Sequence, residues 1–202
     1  MASRLVVSAF VSLDGVMQGP GGPGEDDSHG FPHGGWLPPH VDEGFGEIMG
    51  EQLDRADGML LGRRSYDILS SHWPNVPDEE GGAEINGMPK YVATRSPMEA
   101  TWRNTRVLVG DAARTVADLK RETDGEILVQ GSSDLLRTLQ RAELVDEYRL
   151  LVFPVILGEG KRLFAEGTAP AGLKLTGSRT TGAGVVYVTY DWAGKPSYGS
   201  VV

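Results

Sequence analysis

The sequence predicts an α/β protein with one mostly parallel β-sheet, flanking helices and an antiparallel C-terminal edge. Three observations carry this prediction. Between residues 58 and 142, short apolar runs alternate with segments of helical periodicity, a pattern typical of parallel strands joined by helices. After residue 146, three strand-like runs follow without a convincing helix, so the last strands should pair antiparallel. The length of 202 residues suits one large domain.

The first part of the chain is predicted to form a strand, a long loop and a helix. Residues 5–11 are rich in β-branched and aromatic side chains and are followed by Asp14 and Gly15, which predicts the first strand. Residues 14–40 contain much of the glycine and proline, so we expect a long ordered loop or a flexible lid. Apolar side chains three and four residues apart over residues 41–56 predict a helix with one buried face.

The rest of the chain repeats strands and helices. Residues 58–61 are predicted as a buried strand ending at Gly62, residues 65–73 as a helix and residues 74–88 as an exposed loop. We then expect strands at 90–94, 106–109 and 126–129, and helices at 112–122, capped by Asp111, and at 133–142. The last strands are predicted at 147–157, 173–179 and 185–192. This makes a single domain over residues 1–202, with its core at 4–192 and a frayed tail after Trp192.

The composition excludes several classes of function. Lys and Arg number 19 against 28 Asp and Glu, and the net charge of −9 would repel a phosphate backbone, so we expect no nucleic-acid partner. The absence of cysteine excludes disulfides, thiolate catalysis and Cys-ligated zinc. No apolar stretch approaches the ~20 residues that span a bilayer, and residues 5–13 lack the cleavage pattern of a signal peptide. We therefore expect no membrane partner and a cytoplasmic location.

Two apparent motifs are rejected because of their context. Residues 19–24 satisfy the dinucleotide fingerprint G-x-G-x-x-G, but two prolines remove amides from the turn and no strand immediately precedes it. His29 and His33 are four residues apart, yet the glycine and proline between them prevent the helix that would align them. Together with His40 they are interpreted as solvated loop histidines, and we predict no metal site.

Three predicted strands end in small or cationic residues where a helix or turn begins. Glycine lets a ligand approach the backbone, a helix start offers free N–H groups, and arginine adds paired donors for phosphate. Taken singly, each place has an ordinary alternative, a solvated arginine or a plain helix cap. Because the carboxyl ends of parallel strands open on one edge of the sheet, we expect the three turns to meet in one crevice. They contain Gly62, Arg63, Arg64 and Ser65; Thr94 and Arg95; and Gly131, Ser132 and Ser133.

An extended ligand with a pyrophosphate and a further phosphate matches these turns, and NADPH is the commonest such molecule. In the order of these turns the sequence resembles the dihydrofolate reductase-like superfamily. Within it, the sequence resembles the reductase domain of the bifunctional deaminase-reductases of riboflavin biosynthesis. The similarity extends from about residue 4 to about residue 192. The motifs that carry it lie at residues 12–15, 61–65, 94–95, 130–132, 145–147, 154–160 and 163–164.

The resemblance implies a mixed sheet that binds NADPH in an extended conformation. It implies that residues 62–65 contact the pyrophosphate and a neighbouring phosphate, that Thr94 and Arg95 contact the 2′-phosphate, and that residues 131–133 hold the pyrophosphate. Ser132 departs from the Gly-Gly that dihydrofolate reductases usually have at this turn. Residues 12–15, including Gly15, would border the nicotinamide and substrate, and residues 154–160, including Pro154 and Gly158, would wall the pocket.

The reaction that follows is hydride transfer to a carbonyl or imine carbon, with a proton supplied to the neighbouring heteroatom. Asp14 is the predicted proton donor, since a carboxyl partly buried at a strand end has a raised pKa. The alternative is a plain Asp-Gly turn residue. The loop that carries Trp36 is expected to close over the substrate, and its alternative is an ordinary surface loop. In dihydrofolate reductases a carboxylate on the first helix orients the pteridine, but no motif aligns Glu43 or Glu47 with it.

Several functions therefore stay open. The leading one is an NADPH-dependent reductase of a small heterocyclic or carbonyl substrate, similar to 5-amino-6-(5-phosphoribosylamino)uracil reductase. Dihydrofolate reduction is the enzymatic alternative, and a non-catalytic NADPH-binding or regulatory module is the alternative of another class. The resemblance and the Val- and Tyr-rich terminal strands also lead us to expect a homodimer.

Overall fold

The computed structural model describes residues 2–201 of the chain. All the strands in that range belong to one eight-stranded sheet. They are β1 (Arg4–Ser12), β2 (Gly58–Gly62), β3 (Lys90–Thr94), β4 (Thr105–Val109), β5 (Glu126–Gln130), β6 (Glu147–Phe153), β7 (Leu173–Thr180) and β8 (Val186–Trp192). Their order in the sheet is β4-β3-β2-β5-β1-β6-β8-β7.

The sheet is parallel from β4 to β6 and antiparallel at one edge. The first six strands pair parallel with their neighbours, while β8 runs antiparallel to both β6 and β7. The predicted fold class is confirmed. In such a sheet the carboxyl ends of the parallel strands lie at one edge, and this edge carries the candidate site.

Four of the five α-helices of the described range agree with the sequence periodicity. Two begin at aspartates that cap them: the carboxylate of Asp42 accepts from the backbone N–H of Phe45 at 2.8 Å, and that of Asp111 from Arg114 at 2.9 Å. The α-helices of the described range are α1 (Glu43–Arg55), α2 (Arg63–His72), α3 (Gly82–Gly87), α4 (Ala112–Glu122) and α5 (Ser133–Arg141).

The two faces of the sheet are packed differently. One face, which includes Leu5 and Val7 of β1, forms a single core with α4 and α5. The other face has two separate clusters, one around Phe153 with α1 and the loop after β1, and one around Tyr66 with α2 and α3. The two clusters lie on either side of a strip of β1 and β5. Their side chains form the walls of a cleft over this strip.

Residues 74–88 differ from the exposed loop predicted for them. They contain a 3-10 turn at Asp78–Glu80 and the short helix α3, in which Ile85 is only 6% exposed. The amino group of buried Lys90 donates to the carbonyls of Ile85, Asn86 and Met88 at 2.9, 3.1 and 2.7 Å. A side chain from the following strand thus caps this helix, which no pattern within residues 74–88 reveals.

The C-terminal part agrees with the sequence except at one boundary. The strand predicted at 147–157 ends at Phe153, before Pro154, which has no N–H to donate to a ladder. Residues 193–201 form no helix or strand. Within the described range, no helix is both long enough and apolar enough to cross a membrane.

Candidate functional site

A cleft of about 820 Å³ opens at the carboxyl edge of the parallel strands. Its lining crosses the sheet in strand order, from Gly110 and Asp111 after β4, through the ends of β3, β2 and β5, to the middle of β1. Neighbouring strands lie about 4.8 Å apart, so five strands give a groove of roughly 19 Å, long enough for an extended dinucleotide. The size is within the range of small-molecule and cofactor sites.

All nine residues predicted to contact the cofactor line this one cleft. They come from three turns that are far apart in the sequence, and the parallel sheet brings the turns together as expected. Their contact with a cofactor stays a prediction. The residues are Gly62, Arg63, Arg64, Ser65, Thr94, Arg95, Gly131, Ser132 and Ser133.

The starts of α2 and α5 meet at the centre of the cleft. The Ser132 hydroxyl accepts from the N–H of Gly62 at 2.7 Å and lies 2.7 Å from the Ser65 hydroxyl. Gly131 has φ +60°, and a Cβ there would lie 2.8 Å from the Ser65 oxygen, so glycine is required. The backbone of Ser132 is in the left-handed region, with φ 65°. This serine stands where dihydrofolate reductases usually have glycine, and its hydroxyl joins the two turns.

The two helix starts are suited to an anion. Neither Gly62 nor Ser132 provides a side-chain cap to its helix. The first N–H groups of a helix have no partner within it, and the helix dipole adds a partial positive charge there. Two converging helix starts therefore make a site suited to an anion.

The three arginines of the cleft differ in whether their charge is already paired. The Nε of Arg63 donates to both carboxylate oxygens of Asp67, each at 2.9 Å, and Arg64 pairs with Asp26 at 2.7 Å. Arg95 is exposed and has neither an ion pair nor a hydrogen bond with any residue in 2–201. The neighbouring Thr94 hydroxyl donates to the Ser96 carbonyl at 3.0 Å. The free guanidinium of Arg95 is therefore the most available cation of the cleft.

Asp26 holds the loop after β1 against the cleft. Its carboxylate accepts from the amino group of Lys161 at 2.6 Å, in addition to its pair with Arg64. Burial by itself would raise the pKa of Asp26, but hydrogen bonds from Lys161 and Ser28 and the charge of Lys161 lower it below its usual value. One ionised carboxylate thus pairs with two cations at this end of the cleft.

Asp14 does not have the properties predicted for a proton donor. Its carboxylate accepts from the Ser12 hydroxyl at 2.7 Å and from the N–H groups of Leu157 and Gly158 at 3.1 and 2.9 Å. The hydrogen bond from Ser12, followed by those from the backbone, lowers the pKa of Asp14 to about 2. The predicted raised pKa is wrong, because the carboxyl is hydrogen-bonded as an anion and not isolated in an apolar site. At neutral pH Asp14 has no proton to donate.

The residues predicted to contact the substrate lie outside the cleft lining. Asp14 and Gly15 instead join the end of β1 to the loop after β6, where Gly158 lies and where the N–H of Leu163 donates to the Gly15 carbonyl at 3.0 Å. Pro154 is exposed in the same loop. The turn of residues 12–15 therefore holds the loop after β1 and the loop after β6 together by hydrogen bonds.

Trp36 is part of the core, contrary to the expected closing lid. Its side chain is buried, its Nε1 donates to the Gln18 carbonyl at 2.8 Å, and its ring packs edge-on against Phe153 with 5.3 Å between centroids. Its burial anchors this part of the loop against the sheet. Other residues of this loop, Gly19, Pro20, Glu25 and Asp26, line the cleft.

Several cleft residues were not singled out in the sequence. Gly110 and Asp111 follow β4 and could have been found by the same rule of strand ends. Ser8 and Phe10 are in the interior of β1, where only a hydroxyl in an otherwise apolar strand gives a signal. Met17, Ile68 and Leu69 add apolar surface that the sequence does not distinguish from core.

β1 has a free edge inside the cleft. Its pairing with β5 ends at Ser8 opposite Gln130, whereas its pairing with β6 continues to Ser12. On the β5 side, the backbone of residues 9–11 has no strand partner among the described residues. Free N–H and C=O groups at a strand edge can bind a carboxamide.

Comparison with known proteins identifies the family. The sequence model of the RibD C-terminal domain matches residues 3–187. The chain belongs to the RibD C-terminal domain family. The resemblance to the reductase domains of riboflavin biosynthesis is therefore confirmed. The family assignment fits the sheet-edge cleft, whose turns carry the motifs that suggested it.

Proteins of similar sequence or similar structure cover nearly the whole chain. The uncharacterised protein YyaP of Bacillus subtilis (strain 168) is 32% identical over 196 residues, which are 95% of this RibD C-terminal domain chain and 96% of YyaP. A putative riboflavin biosynthesis protein from Shewanella sp. PV-4 superposes with a TM-score of 0.67 at 22% identity, covering 95% of this chain and 99% of that one. Dihydrofolate reductase from Enterococcus faecalis, complexed with NADP(H), gives 0.59 at 15% identity, with 94% and 96% covered. The dihydrofolate reductase-like fold is thus shown.

Proposed function

We propose that this protein is an NADPH-dependent reductase that transfers a hydride to a small heterocyclic or carbonyl or imine substrate. The observation that carries the proposal is the order of groups along the cleft. The unpaired Arg95 lies after β3, the two open helix starts lie after β2 and β5, and the free edge lies on β1. NADPH has its 2′-phosphate, pyrophosphate and nicotinamide carboxamide in the same order.

The residues of the chain bind and orient the cofactor. The starts of α2 and α5 donate backbone N–H groups to the pyrophosphate, and Arg95 supplies a charge-assisted hydrogen bond to the 2′-phosphate. The free edge of β1 pairs with the carboxamide and fixes the face of the nicotinamide ring. When bound, NADPH supplies the hydride, and the walls of the cleft exclude water around it.

The alternatives have less support. In dihydrofolate reductases a carboxylate on the first helix orients the pteridine, but here Glu43 and Glu47 are both exposed on α1, and its buried residues are Ile48 and Gln52. Dihydrofolate reduction is therefore disfavoured. A non-catalytic NADPH-binding module would have the same cleft as a reductase. An assay of turnover therefore distinguishes these two functions.

Binding is tested by titrating the protein with NADPH and with NADH and following tryptophan fluorescence. We expect NADPH to bind more tightly, and Arg95→Ala to weaken NADPH about tenfold or more with little effect on NADH, because one charge-assisted contact is lost. The matched control is Arg121→Ala, an exposed arginine of α4 outside the cleft lining. Equal losses for both cofactors would remove Arg95 from the 2′-phosphate site, and no binding of either would reject the proposal.

Turnover is tested with the same protein once binding is established. Candidate pyrimidines, pterins and small carbonyl compounds are added with NADPH, and the absorbance of the reduced nicotinamide is followed. Loss of that absorbance with a defined product supports the reductase. A protein that binds NADPH but oxidises it with none of these classes is the non-catalytic module.

A further inference from the structure

An ion pair connects the two walls of the cleft. Arg64, in the first turn of α2, has its Nη2 2.7 Å from Oδ1 of Asp26, in the loop after β1, and both residues line the cleft. The helix α2 packs in the cluster around Tyr66, whereas the loop after β1 packs in the cluster around Phe153. The pair of Arg64 and Asp26 therefore crosses from one wall to the other.

This contact depends on one exposed side chain. Within residues 2–201, no other ion pair or hydrogen bond joins α2 to the loop of residues 13–42. The side chain of Arg64 is 56% exposed, and Asp26 is its single polar partner in the same range. Exposed side chains change rotamer within nanoseconds, so rotation of Arg64 alone opens the contact.

Asp26, in contrast, is held from its own wall. The amino group of Lys161 lies 2.6 Å from Oδ2, the oxygen that does not face Arg64. The Ser28 hydroxyl donates to Oδ1 at 2.6 Å, and the Gln18 amide donates to the Asp26 carbonyl at 3.0 Å. These contacts do not involve α2. The carboxylate therefore keeps a cation and hydrogen bonds when Arg64 leaves it.

The charges favour replacement of Asp26 by a phosphate. Arg64 and Lys161 share one carboxylate, so one positive charge of the three side chains is not balanced among them. An ion pair with an exposed partner contributes little free energy. A phosphate binds a guanidinium through paired, charge-assisted hydrogen bonds, and Arg64 lies beside the open helix start where a pyrophosphate is proposed.

We infer that Asp26 makes an autoinhibitory contact: it occupies Arg64 until a phosphate of the ligand displaces it. This inference rests on the proposed function, because the displacing group is the pyrophosphate of NADPH. The ion pair holds the two walls together, and its loss is part of the free energy of binding. Asp26 thus lowers the affinity for NADPH and slows its association.

The test compares wild type with Asp26→Asn in the full chain. Asparagine keeps an oxygen for Ser28 and Lys161 but loses the charge that holds Arg64. Titration of tryptophan fluorescence with NADPH gives the affinity, and stopped-flow mixing gives the association rate. We expect Asp26→Asn to bind NADPH about three- to fivefold more tightly, mainly through faster association.

Glu25→Gln is the matched control for simple charge repulsion. Glu25 precedes Asp26 and also lines the cleft, but its carboxylate accepts from the N–H groups of Gly21 and Gly22 and has no cationic partner in residues 2–201. This variant loses the same charge without breaking an ion pair. Because salt screens such a charge, the NADPH affinity should change by less than about twofold. An equal gain from both variants would make the inference wrong.

A second background isolates the ion pair. Arg64→Gln breaks the pair from the side of α2 and should weaken NADPH binding by removing a phosphate contact. When Asp26→Asn is added to Arg64→Gln, we expect no further gain, because Asp26 no longer has Arg64 to occupy. A structural defect of Asp26→Asn would appear in both backgrounds, so the difference between them reports on the pair.

The outcomes separate this inference from the proposed function. If Asp26→Asn weakens NADPH binding, or strengthens it equally with and without Arg64, the inference is wrong while the proposed function stands. If the wild-type protein and Asp26→Asn both fail to bind NADPH, the proposed function is rejected and the inference with it.

Discussion

Asp14 shows how a single turn residue can carry a structural role at a position where catalysis was expected. Its carboxylate is ionised and accepts hydrogen bonds from Ser12 and from two backbone N–H groups of the loop after β6. Arg162 also donates to it at 3.4 Å. The motif at residues 12–15 therefore stabilises the conformation of the loops beside the cleft.

We expect Asp14→Asn to lower the stability at neutral pH and to leave the pH dependence of activity near neutrality unchanged. The pKa of Asp14 is about 2 against an ordinary 3.8, so its ionised form stabilises the fold above pH 3.8 and this contribution is lost as the pH falls through 2. Urea unfolding between pH 7 and pH 2 should show the wild type and the variant converging below pH 3.8. Asp54→Asn on α1 is the control, and a constant difference down to pH 2 would contradict the assignment.

At the scale of elements, the site depends on the short distance between the first residues of α2 and of α5. Gly62 and Ser132 are joined by a hydrogen bond, and a Cβ on Gly62 would lie 3.0 Å from the Ser132 oxygen. The small residues in these turns are thus needed for the approach of two helix starts. The same approach creates the proposed site for the pyrophosphate.

Gly131→Ala is predicted to destabilise the protein by about 1–2 kcal/mol, because alanine is strained at a positive φ. It should also weaken NADPH binding, since the new methyl group pushes against Ser65. The matched control is Gly50→Ala in the exposed interior of α1, where a Cβ meets nothing within 4 Å. That variant should stabilise by roughly 0.5–1 kcal/mol. Thermal unfolding and NADPH titration check both, and a neutral Gly131→Ala would show that the turn can adapt.

At the scale of the whole molecule, the edge of the sheet opposite the cleft is held by buried charges. Arg149 is fully buried and donates to Glu126 at 2.6 and 2.7 Å and to Glu147 at 2.7 Å. Burial by itself would lower the pKa of Arg149, but the hydrogen bonds to the two carboxylates raise it, so the group stays charged. This network joins β5 and β6 to β1 through Arg4.

Arg149→Leu should destabilise the protein by about 3–5 kcal/mol, because two carboxylates are then buried without their central partner. Urea unfolding measures this, and the loss should shrink when Glu126→Gln and Glu147→Gln are added. In the exposed pair of Arg106 and Glu122, which are 55% and 50% exposed, Arg106→Leu should cost less than about 1 kcal/mol. If both arginine variants lose a similar free energy of unfolding, burial does not determine the cost of removing the arginine from its ion pair.

A homodimer stays a prediction at the same scale. β7 is an edge strand whose residues are almost all exposed, and Leu175 is 54% exposed on it. An edge strand that exposes apolar side chains such as Leu175 favours pairing with another chain. We expect light scattering to give the mass of two chains and Leu175→Lys to give the mass of one, with unchanged thermal unfolding of the sheet. A wild-type monomer at high micromolar concentration would reject the prediction.

Local patterns were enough for most elements. The bounds of α4 were predicted because its cap, Asp111, and its periodicity lie within the helix itself. α3 was missed because Lys90, outside it, satisfies its last carbonyls. The three turns that line the cleft were found because glycine and arginine at a strand end have a local meaning. The burial of Trp36, in contrast, depends on Phe153, which is distant in the sequence.

The sequence by itself determined the class of the fold, the sign of its charge and the three turns suited to phosphate, since each depends on neighbouring residues. Only the tertiary structure decided that Asp14 holds two loops together, that Trp36 belongs to the core and that the buried Ser8 hydroxyl has no partner in residues 2–201. The reason is physical: the pKa of a carboxyl and the burial of a side chain are set by atoms that meet only after folding.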